Sequence, residues 1–250
     1  MENWKDNIYF VLVEPIEPGN IGASARAIKN MGFKNLCLIN PISVITKESM
    51  LFAYNAHDIL ESAKIYKNLS DALSDKSIIV GTTRRFGKTR GIIFPVDEGI
   101  KRISDSVQTN KVAILFGREN KGLFNEEADE CGYLITIPTS DEHPSLNLAQ
   151  AVLLIAYELS KAGDIYLKKG CTDDKLFASH KELDFLLDRI SHSLDLLGYI
   201  PKGDDNLKEK IMRNLKHFIA RGGIAEWELN MLHGICTQIE KKISKLENMG

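Results

Sequence analysis

Three short stretches of the chain carry the side chains that could do chemistry. They are residues 19–27 (GNIGASARA), residues 115–123 (LFGRENKGL), and residues 137–138 (IP) followed by 145–149 (SLNLA). Together they offer amides, hydroxyls, a carboxylate and a guanidinium, groups that position a polar substrate and stabilise charge developing on oxygen. Each stretch follows an apolar, strand-like run, so all three are expected at the carboxyl ends of strands, where α/β sheets bind ligands.

Two glycine patterns in these stretches match nucleotide-binding loops only in part. Residues 117–122 have the G-x-x-x-x-G spacing of a phosphate-binding loop, but Leu123 and Phe124 stand where that loop needs lysine and then serine or threonine. The pair Gly19 and Gly22 does not complete the dinucleotide pattern G-x-G-x-x-G. The sequence therefore argues against a Walker site and disfavours a nicotinamide dinucleotide.

The elements that position these stretches alternate between strand-like and helix-like segments. Strands are predicted at Ile8–Val13, 36–39, 78–80, Val112–Phe116 and 134–137, with a weaker one at Lys64–Tyr66. Most are continuous apolar runs, which is typical of parallel strands buried on both faces. Helices are predicted between them, including 21–31, closed by Gly32, and 47–55. This order predicts an α/β fold with a right-handed parallel sheet.

The second part of the chain is predicted to be helical. Residues 147–162 are apolar nearly all round, so this helix is expected in a core or an oligomer interface. Beyond a polar connection, three amphipathic helical patterns fill the rest of the sequence. We predict a catalytic domain at 1–163, a linker at 164–178 and a helical extension at 179–250.

Charge and composition limit the possible partners. The formal net charge of -2 argues against indiscriminate nucleic-acid binding. Locally, residues 84–102 hold six basic against two acidic residues, and residues 202–221 hold six against three, although such clusters also occur as plain solvated faces. The sequence has neither a membrane-span run nor a secretory layout at its start, so a cytoplasmic protein is expected. The four cysteines form no C-x-x-C pair, which predicts no metal site.

Taken together, the three stretches resemble the motifs of one enzyme family. Residues 19–27, 116–119 and 137–147 resemble motifs 1, 2 and 3 of the SpoU/TrmH-like branch of the SPOUT superfamily, which are RNA 2′-O-ribose methyltransferases. The helical tail at 183–239, and residues 226–235 above all, resembles the extension of branch members that methylate nucleotide 32 in the tRNA anticodon loop.

The resemblance implies a fold that periodicity alone does not predict. Periodicity would give an unknotted Rossmann-like sheet, because knots are rare. The resemblance implies a deep trefoil knot made by the last strands and helix, followed by a small all-α extension. It also implies an obligate homodimer with cofactor sites near the subunit interface, which would explain the apolar helix at 147–162.

The resemblance also assigns roles to particular residues. The pocket for S-adenosyl-L-methionine (AdoMet), with S-adenosyl-L-homocysteine (AdoHcy) as product, would be formed by Thr82, Thr83, Arg84, Gly117, Ile137, Pro144, Ser145 and Leu146. The catalytic residues would be Arg26, Asn20, Glu119, Ser145 and Asn147. From their charge and helical spacing, the residues expected to follow tRNA phosphates are Arg85, Lys88, Arg90, Lys210, Arg213, His217 and Arg221.

Some roles stay open at the level of sequence. The family arginine that matches Arg26 is sometimes described as a general base, but arginine side chains hardly ever deprotonate in proteins, so we favour an electrostatic clamp on phosphate and alkoxide. Asn20 could instead cap a helix, and either Ser145 or Asn147 could do the same for the apolar helix. His143 is chemically suited to be a base, although a lone loop histidine is usually just exposed.

Three functions compete on this reading. The first is methylation of a tRNA ribose at nucleotide 32, with another tRNA position or ribosomal RNA as alternatives and with neither DNA nor membrane as a partner. The second is a SPOUT-like RNA-binding protein without catalysis, and the third is an oxidoreductase. The presence of all five residues that match the family's catalytic positions favours the first. The choice between cytidine and uridine is not readable from the sequence.

Overall fold

The sheet expected from the sequence is present. The computed structural model of the protein describes residues 3–87, 90–142, 144–166, 175–201 and 205–248, so Lys88 and His143 lie outside the described residues. The strands are β1 (Ile8–Val13), β2 (Asn35–Ile39), β3 (Lys64–Tyr66), β4 (Ile78–Thr82), β5 (Ile93–Pro95), β6 (Val112–Phe116) and β7 (Tyr133–Thr136). They form one sheet in the order β3-β2-β1-β6-β4-β7-β5, and every neighbouring pair is parallel.

Helices cover the sheet and continue beyond it. They are α1 (Pro18–Asn30), α2 (Lys47–Phe52), α3 (His57–Glu61), α4 (Leu69–Leu73), α5 (Val96–Ser104), α6 (Asn125–Asp129), α7 (Leu148–Tyr166), α8 (His180–Leu196), α9 (Asp205–Ala220) and α10 (Glu226–Glu247). Alternate residues of β1 enter two apolar clusters, with Phe10 in one and Val11 in the other. The sheet is therefore buried on both faces, as its continuous apolar runs predict.

The structure differs from the sequence-based prediction in several elements. β5, α5 and α6 were not predicted, and α1 begins at Pro18 instead of residue 21. Proline at the first helical position needs no hydrogen-bond donor there and has the right backbone angle, which explains the earlier start. Helix α7 runs to Tyr166, beyond the helix end predicted at residue 162. No helix within the described residues is long and apolar enough to cross a membrane.

Helices α8 to α10 pack around an apolar cluster of their own. Its buried members are Leu183, Leu186, Leu187, Ile224 and Leu229. The end of α9 also rests directly on the residue before β7, because a Cβ at Gly132 would lie 2.2 Å from the carbonyl oxygen of Ala220. No side chain larger than hydrogen fits between α9 and the segment that leads into β7.

A buried group of charged side chains joins α8 and α9 to the segment that follows α6. The imidazole of His180, which is 4% exposed, lies 2.7 Å from Glu130 through Nε2 and 2.8 Å from Asp184 through Nδ1. Ionised carboxylates only accept hydrogen bonds, so both ring nitrogens carry protons and the ring is positively charged. The ammonium of Lys216 lies 2.6 Å from Glu130 and 3.1 Å from Asp184. The group therefore contains its own cations, and we assign no metal ion to it.

Because His180 is charged in this group, its contribution to the free energy of unfolding is expected to fall as the pH rises. Burial lowers the pKa of His180, but hydrogen bonds to Asp184 and Glu130 outweigh it and hold the pKa above its ordinary value of 6.5. The stabilisation is thus complete below pH 6.5 and is lost as the pH rises through the higher, folded-state pKa. We expect His180→Gln to remove this component, so the difference in thermal unfolding midpoint between wild type and variant should shrink from about pH 6 to about pH 9.

The comparison with His180→Gln is needed because two other histidines have pKa values shifted in the opposite direction, so they change the pH dependence of stability with the opposite sign. Burial holds the pKa of His217 below its ordinary value, and that of His233 likewise. Their contributions cancel in the difference between the two proteins. A difference that stays constant with pH would show that His180 is not charged in the folded state.

Candidate active site

The loops after β4, β6 and β7 line one cavity at the carboxyl edge of the sheet. Counted together with its open mouth, its volume is about 870 Å³. All eight residues expected to hold a cofactor lie in its wall, namely Thr82, Thr83, Arg84, Gly117, Ile137, Pro144, Ser145 and Leu146. They come together because the carboxyl ends of neighbouring parallel strands lie at one edge.

The loop after β6 turns back tightly on itself at Gly117. The amide of Gly122 donates to the carbonyl of Arg118 at 2.7 Å, and Gly122 has a φ of +64°. A Cβ at Gly117 would lie 2.0 Å from the carbonyl carbon of Gly122 and 2.1 Å from the amide nitrogen of Leu123. The glycine is therefore required because the loop's own backbone passes over it.

Arg118 is the main structural residue of this loop, a role that its sequence pattern does not indicate. Its guanidinium, 8% exposed, donates to Glu14 at 2.8 Å and makes two bonds to Glu127, at 2.9 and 3.0 Å. Burial lowers the pKa of Arg118, but the hydrogen bonds to Glu127 and Glu14 raise it by more than burial lowers it. The pKa is therefore above its ordinary value. The network ties the end of β1, the loop and α6 together, and it fixes the neighbouring Glu119. Glu14 is 104 positions away, so no short spacing reveals the group.

Glu119, Asn20 and Asn147 form a chain of hydrogen bonds. The amide nitrogen of Asn20 donates to Glu119 at 3.0 Å, and its oxygen accepts from Asn147 at 2.7 Å. Glu119 also accepts from the backbone amides of Ile16 and Glu17. Burial raises the pKa of Glu119, but the bond from Asn20 and those backbone amides outweigh it and leave the pKa below its ordinary value. The carboxylate is therefore fixed in its ionised form.

The capping alternatives are now decided. Glu17 is the N-cap of α1 and Asn20 lies in the first turn, so the alternative in which Asn20 caps this helix does not hold, because α1 starts earlier. Asn147 caps α7, since its side-chain oxygen accepts from the amides of Ala149 at 2.9 Å and Gln150 at 3.4 Å. Ser145 is left in the cavity wall.

Arg26 lies in a second groove and not in the wall of the cavity. This groove of about 1170 Å³ is also lined by Asn20 and Asn147. The Arg26 side chain is exposed, and its guanidinium carbon lies 5.5 Å from the centre of the Tyr54 ring. The hydrogen-bonded chain thus connects Glu119, in the cavity wall, with the groove that holds Arg26.

The basic residues of the loop after β4 divide into two groups. Arg84 and Arg85 are exposed at the mouth of the cavity. Arg90 is 7% exposed, and its guanidinium donates to the carbonyl of Leu123 at 2.8 Å and to the hydroxyl of Thr83 at 3.2 Å. This placement differs from the surface position that the sequence predicted, because the charge is used inside the loop. Arg90 joins two of the loops that form the cavity.

The basic face of α9 is also only partly free. Its exposed members are Lys210 and Arg213, and the exposed Arg221 directly follows the last residue of the helix. Arg213 has one oxygen of Asp129 at 3.9 Å. His217 is turned inward: its ring lies beside Gly91, and its buried Nε2 faces the carboxylate of Asp129 at 3.5 Å. We therefore leave Arg90 and His217 out of the residues that could contact phosphate.

The order of these motifs along a parallel sheet has a counterpart among known proteins. The model of the SpoU rRNA Methylase family matches residues 7–157, which covers the whole sheet and all three loops. The chain belongs to the SpoU rRNA methylase family. The resemblance found in the sequence is thereby confirmed.

Individual SpoU relatives match over nearly the full chain. The tRNA (cytidine/uridine-2′-O-)-methyltransferase TrmJ of Sodalis glossinidius is 35% identical over 240 residues, covering 94% of this chain and 91% of that protein. An uncharacterized tRNA/rRNA methyltransferase of Haemophilus influenzae is 33% identical over 241 residues, covering 95% and 96%. The crystal structure of TrmJ from Z. mobilis ZM4 has a TM-score of 0.78 at 28% identity, covering 93% of this chain and 98% of that one. The similarity to SpoU relatives therefore includes the helices beyond residue 157.

Proposed function

We propose that this protein transfers a methyl group from AdoMet to the ribose 2′-hydroxyl of cytidine or uridine at nucleotide 32 of tRNA. Family membership and the TrmJ relatives support tRNA 2′-O-methylation. The observation that carries the proposal is the link between the two halves of a site: one cavity at the sheet edge, joined through Glu119, Asn20 and Asn147 to the groove of Arg26. We also infer a cytoplasmic reaction, because the substrate is tRNA.

The cavity has the chemistry that AdoMet requires. Its wall combines apolar side chains, Ile137 and Leu146, with the hydroxyls of Thr82 and Ser145. Such a mixture buries an aromatic base and fixes its polar edges. Bound there, AdoMet would supply a methyl group on a positively charged sulfur. The loop from Gly117 to Gly122 also lines the cavity and would contact the bound cofactor.

The residues of the groove would orient the ribose and stabilise the charge that develops on its oxygen. Asn20 and Asn147, fixed by each other and by Glu119, would orient the ribose, and Ser145 would hold the 2′-hydroxyl beside the methyl group. Arg26 would clamp the adjacent phosphate through its guanidinium and stabilise negative charge on the 2′-oxygen as the hydroxyl proton leaves to water. In-line alignment of oxygen and methyl group would account for most of the rate.

We infer that the protein works as a homodimer. Apolar side chains are exposed on α2 and α7 beside the groove, namely Leu51, Phe52, Leu153, Leu154 and Tyr157. A cluster of this kind marks a protein interface more often than a free surface. Pairing through it would place the Arg26 groove of one chain against a second chain and would complete the site with residues of both.

We retain two further inferences from the family resemblance. The first is that the chain is threaded into a trefoil knot around the cavity loops. The position of β4 between β6 and β7, and the bond from Asn147 back to Asn20, are compatible with it. The second is that residues 1–163 and 179–250 act as a methyltransferase domain and a tRNA-binding extension.

The exposed basic residues of α9, with Arg221 directly after it, should contribute to affinity for tRNA. Reversing the charge of Lys210 and Arg221 together is expected to weaken tRNA binding severalfold and to flatten its dependence on salt, because fewer counterions are released. AdoHcy affinity should not change, since neither residue lines the cavity. Filter binding over a salt series measures the first effect and calorimetry the second. Reversal of Glu209 and Glu226, also exposed, to lysine is the matched control and should strengthen binding or leave it unchanged.

The proposal itself is tested by mapping the product. Purified protein, AdoMet and unmodified tRNA should give a 2′-O-methyl group at nucleotide 32, located by mass spectrometry of nuclease fragments. Methylation at another tRNA position, or of ribosomal RNA alone, would overturn the assignment of the substrate. Binding of tRNA without any methyl transfer would indicate an RNA-binding protein that has no catalytic function.

A further inference from the structure

The loop after β4 holds an aromatic ring out into solvent. Phe86 is 76% exposed, and both residues before it, Arg84 and Arg85, are exposed as well. These two arginines line the mouth of the cavity, so the ring lies one residue beyond its wall. Of the described loops around the cavity, this one presents a large ring directly beside two free guanidiniums.

The position of Phe86 is fixed by its loop. The amide of Thr83 donates to the carbonyl of Ile135 at 2.9 Å, and its hydroxyl accepts from the amide of Arg85 at 3.0 Å. The buried guanidinium of Arg90 donates to the same hydroxyl at 3.2 Å, and the amide of Arg90 donates to the carbonyl of Gly87 at 3.2 Å. The loop is thus tied down before and after Phe86, and the ring is presented outward by an anchored backbone.

The surroundings of the ring favour one kind of ligand. Guanidiniums attract phosphates, and an exposed ring between phosphate contacts can stack on an unpaired base. An apolar protein partner would have to desolvate two arginines to cover a single ring, which is costly. The loop also meets α9, since the ring of His217 lies 3.5 Å from the Cβ position of Gly91. The loop after β4 therefore packs beside the helix that carries Lys210 and Arg213.

We propose that Phe86 stacks on an unpaired base of the RNA substrate next to the nucleotide that is methylated. The inference rests on the proposed function and adds a contact that holds the loop nucleotides open. Single-stranded bases in RNA are commonly recognised by stacking on aromatic side chains. Arg84 and Arg85 would hold the flanking phosphates, while the ring fixes the base.

The test compares three single variants in the full-length protein. Phe86→Ala is expected to raise the Kd for tRNA about tenfold or more, with the AdoHcy Kd and the oligomeric state unchanged. Phe86→Tyr keeps a stacking ring and should bind like wild type. Phe185→Ala removes a ring of α8 that is 61% exposed and should also bind like wild type. An anticodon stem-loop with 2-aminopurine at successive unpaired positions should show fluorescence quenching by wild type that is lost with Phe86→Ala.

Several outcomes would overturn the proposal. Two of them are an unchanged tRNA affinity in Phe86→Ala and fluorescence quenching that persists without the ring. A weakened AdoHcy affinity would make the ring part of the cavity instead. Dissociation of the dimer would make the ring a subunit contact. Failure of the wild-type protein to bind or methylate tRNA would instead refute the proposed function. The two failures are therefore distinguishable.

Discussion

Replacing Arg26 by alanine is expected to lower the single-turnover rate of methyl transfer by roughly 10²- to 10³-fold, the usual effect of removing one donor that stabilises a developing oxyanion. The affinity for AdoHcy should stay the same, because Arg26 lies in the second groove and outside the cavity wall. Rapid quench with radiolabelled AdoMet measures the rate, and calorimetry measures AdoHcy binding.

The matched control is Lys29→Ala, one turn further along α1. Lys29 forms an exposed ion pair with Asp58 at 2.7 Å and does not line the groove. Exposed pairs contribute little, so rate and stability should both stay near the wild-type values. A rate for Arg26→Ala within about threefold of wild type, against the change expected for an oxyanion donor, would remove Arg26 from the proposed catalytic group.

Arg26→Lys separates the two chemical roles. A lysine keeps the charge but not the fork of donors, so an electrostatic clamp predicts a lower rate with an unchanged pH profile. If Arg26 acts as the base, the substitution should shift or remove the titrating limb of the profile.

The sheet was predictable because its strands are buried on both faces. Runs such as Ile8–Val13 and Val112–Phe116 are apolar throughout, and they are strands with the predicted bounds. β5 has only three residues and ends in a proline, so it carries no periodicity to detect. Helix α6 has five residues, of which three are acidic, and its sequence looks like a loop. Short elements of this kind depend on contacts that are distant in sequence.

The cavity was predictable for a related reason. Residues that follow parallel strands meet at one edge, so the positions of Gly117 and Ile137 followed once the strands were known. Thr82 was assigned to the pocket through the family resemblance. The inward turn of Arg90 was not predictable. Its charge pattern looked like a surface cluster, and only the fold shows that the carbonyl of Leu123 and the hydroxyl of Thr83 are its partners. The sequence pattern predicts the order of the strands and loops, whereas the direction in which a long side chain points depends on tertiary contacts.

Gly117→Ala is expected to weaken AdoHcy binding strongly without unfolding the protein. The added Cβ would meet backbone atoms of Gly122 and Leu123 at 2.0 and 2.1 Å, and backbone cannot move aside as a flexible side chain does. Overpacking of this kind typically costs about 1–3 kcal/mol. If the loop opens to relieve the clash, this free energy is lost from AdoHcy binding, and the Kd for AdoHcy rises roughly 5- to 150-fold. Calorimetry with AdoHcy measures the change.

Two other glycines separate this clash from the general effects of the substitution. Gly122→Ala, in the same loop, adds a Cβ into open space but at a φ of +64°, so it should cost about 1 kcal/mol through backbone strain alone. Gly222→Ala meets no atom within 4 Å and no such strain, so it should be neutral. The expected order of AdoHcy affinity is therefore Gly222→Ala above Gly122→Ala above Gly117→Ala. An affinity of Gly117→Ala equal to that of Gly222→Ala would mean that the turn at 117–123 does not form the wall of the cofactor site.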